Sequence, residues 1–277
     1  MLAEELNFLF GRLRIRILLL VLAAVPVGYA IGVRLSGHAT HDAPPFVGQI
    51  PQNGLYAGVA GLATTTPIVL PLVLAIVAGD AIAGEADFGT LRTLLTAPVS
   101  RARLLAIKLI TACVFALVAA FVIAAAGLLA GAVLYHLGPV PTALGADAPA
   151  ADAVLNGPTI SLATGIGRLF LAALISGVQL FGWAAMGVFF STLTRIPLAA
   201  TIATGAVLGV AEAAQSASFL SRVQPILPTT YWDGYVSLFH SGQPWSGNAH
   251  AILASLIYLL VFAAGAWVRF SRADIAT

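Results

Sequence analysis

Charge is what this chain has least of. Of its 277 residues 9% are charged and 60% are hydrophobic, where a soluble domain carries about 25% charged residues. A chain this apolar cannot cover itself with a polar surface, so the composition implies an integral membrane protein. Cysteine is nearly absent: the single Cys113 excludes an intrachain disulfide and any cysteine-based metal site. Lysine is reduced to Lys108 among thirteen basic residues, a bias that points to a GC-rich bacterial genome. The chain has no G-x-x-x-x-G-K-[ST], so it lacks the loop that cradles ATP. Gly165-x-Gly167 is followed by Phe170 where a G-x-G-x-x-G needs its last glycine. There is no H-E-x-x-H and no G-x-S-x-G. Asp80, Glu85 and Glu212 are too few and too scattered for a proton relay. His38, His41 and Asp42 lie in a loop without a cysteine or a helical i, i+4 partner, and read as solvated side chains rather than a metal site. The chain is therefore expected to be no enzyme, with no catalytic, cofactor-binding or metal-binding residues of its own.

What the sequence has in quantity is long apolar runs. Six of them, at about 17–33, 62–83, 104–135, 167–192, 197–215 and 250–268, suit the roughly 17–25 residues of a membrane-spanning helix. The expected fold is an all-α integral membrane protein of six spans. Residues 1–16 form an amphipathic lead-in, with Leu2, Leu6, Leu9 and Leu13 on one helical face and Arg12, Arg14 and Arg16 at its end. This reads as an interfacial helix under the membrane. The first apolar run has no small-residue cleavage site and reads as a signal anchor. Gly28 and Gly32 in span 1, and Gly127 and Gly131 in span 3, make G-x-x-x-G close-packing faces.

Span 2 carries Thr64, Thr65, Thr66, Pro67 and Pro71. Prolines inside a span need hydroxyls or neighbours for the carbonyls they free, so a kink is expected there. Whether the kink only packs or lines a pathway is open at this point. Residues 136–164 hold no lysine or arginine and read as an irregular loop with room for short helices. In span 5, Thr201, Gly205 and Gly209 form a small-residue stripe with Glu212 near the same face. Residues 216–248 are aromatic, broken by Pro225 and Pro228, and too short and polar to span twice. They read as an interfacial or re-entrant segment in the aromatic belt.

The basic residues orient the chain. With the N-terminus inside, Arg12, Arg14, Arg16, Arg92, Arg101, Arg103, Lys108, Arg195, Arg269 and Arg272 lie on the cytoplasmic side, and Arg34, Arg168 and Arg222 outside. Six spans with both termini cytoplasmic satisfy the positive-inside rule.

The stretch from Gly79 to Lys108 is the only long polar interruption that also carries a basic cluster. Phe88, Leu91 and Leu95 fall on one helical face, Pro98 ends that helix, and Ser100 can cap the next. G-E-x-x-x-G-T-L (Gly84 to Leu91) followed by L-L-T-x-P-V-S-R (Leu94 to Arg101) resembles the loop between spans 2 and 3 of type-2 ABC transporter permeases. The run from Ile226 to Phe239 is similar to the segment before their last span.

That resemblance implies a coupling helix, with Glu85, Phe88, Gly89, Leu91, Arg92 and Leu95 as ATPase-coupling residues and Glu85 pairing with Arg92 or with the ATPase. It implies two copies of an ABC ATPase that hold the ATP and Mg, and a second permease copy or a paralogue. It implies an N-terminal elbow helix and a location in the bacterial plasma membrane. Thr65, Pro67, Pro71, Thr201, Gly205, Gly209 and Glu212 become candidates for the dimer face or the pathway. Arg101, Arg103 and Lys108 are expected to set topology and bind anionic lipid. Membrane lipid is expected as a partner and nucleic acid is not. An exporter of a small amphipathic or lipidic substrate is the first reading. A six-span transporter driven by an ion gradient and a non-transporting assembly factor are the alternatives.

Overall fold

The computed structural model of the chain describes residues 2–36, 46–87, 100–144, 157–217, 222, 224–241 and 248–272. Six helices in it are long and apolar enough to cross a membrane. They are span 1, Leu13–Ser36, span 2, Tyr56–Asp87, and span 3, Arg101–Leu134, then span 4, Leu162–Leu193, span 5, Pro197–Ser216, and span 6, Asn248–Arg272. Each expected run lies within or close to one of these helices, and most helices extend it by a turn or more. Spans 2 and 4 are the most enclosed, while spans 1, 5 and 6 leave most of their surface open. The apolar surface of the outer spans, such as Leu20, Val21, Val210 and Leu260, is what a bilayer would cover.

Because the spans alternate, two faces form. One gathers the start of span 1, the end of span 2, the start of span 3, the span 4–5 turn and the end of span 6. Most of the arginines lie there, and we call it the basic face. The N-terminal helix, Leu2–Gly11, stands on it and contacts spans 1 and 3. The amphipathic segment thus ends at Gly11 rather than at residue 16, and Leu13 already belongs to span 1, where it is exposed.

Span 2 is two helices, Tyr56–Thr64 and Leu70–Asp87, joined by a π turn over Thr65–Val69. Pro67 sits inside this turn and Pro71 follows it. The threonines satisfy the carbonyls above: Thr64 Oγ1 donates to Ala60 O at 2.9 Å and Thr65 Oγ1 to Gly61 O at 2.7 Å. The indole of Trp183 donates to Pro71 O at 3.0 Å. The expected interruption of the helix is therefore present as a π turn, with carbonyls beside it served locally and by span 4. Span 4 is broken as well, at Leu180, so Gln179 ends one segment and Trp183 lies in the first turn of the next, Phe181–Leu193.

The two G-x-x-x-G motifs behave differently. A Cβ on Gly131 would stand 1.9 Å from Gly54 O, and one on Gly127 2.4 Å from Gly58 Cα. Gly54 and Gly58 are themselves four apart, so spans 2 and 3 meet backbone to backbone. Gly28 and Gly32 have nothing within 4 Å of such a Cβ among the described residues, which corrects their assignment as a packing face there.

The loop after span 3 holds no helix among its described residues. It forms two-residue strands instead: Val140–Pro141 pairs antiparallel with Thr159–Ile160, and Ala143–Leu144 pairs parallel with His240–Ser241. The segment between spans 5 and 6 consists of short 3₁₀ turns, Gln224–Ile226, Pro228–Tyr231 and Gly234–Phe239. It turns back into the bundle. Trp232, Tyr235, Val236, Leu238 and Phe239 are buried, and Trp232 meets Trp183 edge-on at 5.6 Å. Arg168 Nη1 ties this segment to span 4 through Leu238 O at 2.8 Å.

Candidate functional site

The end of span 2 carries Asp80 and Glu85, one on each side of the glycine Gly84. A Cβ on Gly84 would lie 2.5 Å from Asp80 Oδ1, so the absence of a side chain leaves room for that carboxylate. Asp80 Oδ2 accepts from Arg12 Nη1 at 2.8 Å, and the Arg12 guanidinium also lies over the Phe8 ring, 4.2 Å from its centroid. Glu85 Oε1 accepts from Lys108 Nζ at 2.8 Å. The same ammonium reaches Glu5 Oε1 at 2.7 Å.

Lys108 is therefore the centre of a cluster that joins three elements: the N-terminal helix through Glu5, span 2 through Glu85, and span 3 through its own backbone. Its side chain is only 6% exposed, which a lone ammonium would not tolerate; two carboxylates make it possible. A small cavity of about 30 Å³ lies among Glu5, Arg12, Asp80, Glu85, Lys108 and Thr111.

One turn deeper, span 4 grips the same helix. Ser191 Oγ donates to Gly79 O at 2.7 Å and accepts from the amides of Ile82 and Ala83 at 3.0 and 2.8 Å. Gly79 O and the Ala83 amide are groups that an uninterrupted helix pairs directly. Thr201 of span 5 closes on Gly79 from another side: a Cβ there would meet Thr201 Oγ1 at 2.7 Å. The last turns of span 2 are thus held by the N-terminal helix and by spans 3, 4 and 5.

The coupling residues divide between described and undescribed chain. Glu85 sits in the charge cluster. Phe88, Gly89, Leu91, Arg92 and Leu95 lie outside the described residues, as do His38, His41 and Asp42. Lys108, expected to set topology and bind lipid, is instead buried between two carboxylates, because span 3 enters the bundle beside span 2. Arg101 is not free for lipid either: its Nη1 donates to the carbonyls of Phe270 and Ser271 at 3.2 and 3.3 Å, closing the end of span 6. Arg103 is exposed, with its backbone amide capped by Ser100 Oγ. Thr65 and Pro67 lie in the π turn and Pro71 follows it. Of the span 5 stripe, Thr201 packs on span 2, Gly205 touches only Leu72, and Gly209 faces open space. Glu212 is half-buried.

The sequence assigns Glu5 and Ser191 no role, and it gives Arg12 and Asp80 no part in a joint. The three charged residues sit in the N-terminal helix or near the ends of spans, where single charges are ordinary. Ser191 carries no sequence signal at all.

The fold and this joint define a mostly α-helical membrane protein with a charged cluster at the root of its span 2–3 loop. Residues 13–146 match the family model described as ABC-2 family transporter protein. That match supports a permease subunit of a type-2 ABC transporter. The matched region covers spans 1 to 3 and includes Asp80, Glu85 and Lys108. A comparison with curated proteins gave no match.

Proposed function

We propose that the protein is the permease subunit of a bacterial ABC exporter, working with an ATPase on a separate polypeptide. Two permeases, this one with a second copy or a paralogue, would pair above two ATPase subunits. Both termini and the span 2–3 loop would face the cytoplasm, as the arginine-rich face suggests. The open apolar surface suits a small amphipathic or lipidic cargo.

One observation carries this reading: Lys108, buried between Glu5 and Glu85, ties the root of the loop to the N-terminal helix and to span 3. A loop pressed by an ATPase can do work only if its root is rigid. Here a push on residues 88–99 would move the end of span 2, the start of span 3 and the N-terminal helix together.

Two substitutions test it. Leu91→Asp puts a charge in the apolar face assigned to docking, at a cost of roughly 1–3 kcal/mol or more, and should abolish co-purification of the ATPase. Glu85→Ala leaves Lys108 its bond to Glu5, so the complex should assemble and turn over ATP while transport falls. Full ATPase binding and transport by Leu91→Asp would refute the coupling assignment.

A further inference from the structure

On the basic face, a groove of about 540 Å³ runs between spans 4 and 6. Its walls are Phe189 and Leu193 of span 4 and Ala264, Gly265 and Val268 of span 6, and Arg269 and Arg272 stand at its end. We propose that this groove seats an anionic glycerophospholipid, with an acyl chain along the apolar walls and its phosphate between the two guanidiniums.

Three observations support this occupant. First, the groove is built rather than incidental. Gly265, Val268, Arg269 and Arg272 follow one another at i, i+3, i+4 and i+7, one face of span 6. A side chain at Gly265 would press on the Phe189 ring, 3.2 Å from the Cβ position. That ring is braced by Phe190 and Phe262, each 5.7 Å away between centroids.

Second, the charges are available. Arg269 and Arg272 are exposed, and neither makes a hydrogen bond or ion pair among the described residues. The carbonyls beside them are already taken by Arg101, which ties the last turn of span 6 to the start of span 3.

Third, the geometry matches the bilayer. Apolar wall gives way to paired cations at the membrane end of the helix, the order in which a lipid presents tail and phosphate. Basic pockets between spans at this depth suit anionic headgroups.

The test uses the whole purified chain in detergent and native mass spectrometry, with phosphatidylglycerol and phosphatidylcholine of equal chain length as probes. Wild type should retain phosphatidylglycerol preferentially. Each basic residue near an anionic headgroup contributes a factor of roughly five, so R269Q/R272Q should weaken phosphatidylglycerol binding on the order of thirtyfold. Phosphatidylcholine binding should hardly change.

Gly265→Leu fills the groove with both arginines in place. It should also lose the lipid, which separates a lipid seat from a bare phosphate site. Arg103→Gln, another exposed arginine of the same face, should bind as wild type. If the double variant does not fold, R272Q alone should show about a fivefold loss. Equal retention of the two lipids by wild type overturns the proposal, as does retention of phosphatidylglycerol by the arginine variants within twofold of wild type. Unchanged binding by Gly265→Leu also overturns it.

Discussion

Lys108→Met removes the one cation that Glu5 and Glu85 share. The ammonium lies 2.7 and 2.8 Å from the two carboxylates, and methionine nearly matches its volume, so the change is mainly one of charge. Breaking a fully buried pair by deleting one partner costs about 3–5 kcal/mol, and an exposed pair is worth about 0–1 kcal/mol. This cluster falls between those limits. Lys108 is 6% exposed, but Glu85 and Glu5 are 15% and 24% exposed and keep some water. About 2 kcal/mol is therefore expected, or a fall of roughly 4–8 °C in the melting temperature of the detergent-solubilised protein.

A second readout separates this joint from a general loss of packing. Glu5 is the N-terminal helix's polar tie to span 3, so trypsin should cut faster at Arg12, Arg14 and Arg16. The triple variant E5Q/E85Q/K108M leaves no unpaired charge and should recover most of the lost stability. If Lys108→Met melts within about a degree of wild type and trypsin sees no difference, the cluster is not a structural joint.

Three further outcomes are expected. Ser191→Ala removes the hydroxyl that serves one carbonyl and two amides of span 2, and should cost about 1–3 kcal/mol in thermal unfolding. Gly131→Ala puts a methyl 1.9 Å from Gly54 O and should cost about 3 kcal/mol or more, whereas Gly28→Ala, with nothing within 4 Å, should leave unfolding of the isolated chain unchanged. Gly209→Leu has equal room within the chain, so a loss of span 5 cysteine crosslinks between protomers in this variant would place the stripe at a dimer contact, and unchanged crosslinking would remove it from one.

Spans could be read from sequence because a bilayer imposes length and composition on a helix almost without regard to its neighbours. The interruption of span 2 could be read for a similar reason: Thr64, Thr65 and Pro67 carry their remedy within four residues of the defect. Pairing between distant segments was harder. Gly28/Gly32 and Gly127/Gly131 are the same motif, and among the described residues only the second has a partner. The clue lay in Gly54 and Gly58, a matching small-residue spacing that lets two backbones meet antiparallel. Lys108 was misread because its position relative to the membrane is ambiguous. It lies two turns into span 3, where it could extend outward to lipid or turn inward, and the choice depends on Glu5, 103 residues away. The short strands in the loop after span 3 depend on His240–Ser241 and Thr159–Ile160 arriving at the same place, which no local pattern encodes.

The way span 2 is held suggests where it can bend. Leu70–Asp87 is gripped along its last turns by Ser191, by Thr201 on Gly79, by Arg12 at Asp80 and by Lys108 at Glu85. Losing the Ser191, Arg12 or Lys108 contact would leave a charge or a backbone group without its partner, so this segment should move as one body with its clamps. The π turn at Thr65–Val69 differs. Its register is one residue wider than an α-helix, and Thr64 and Thr65 already supply hydroxyls to the carbonyls above it. Hydroxyls can follow a carbonyl through a change of angle in a way that a neighbouring amide cannot. A displacement delivered at the span 2–3 loop would therefore pass through the clamped segment as a rigid body and be taken up at the threonine-lined turn.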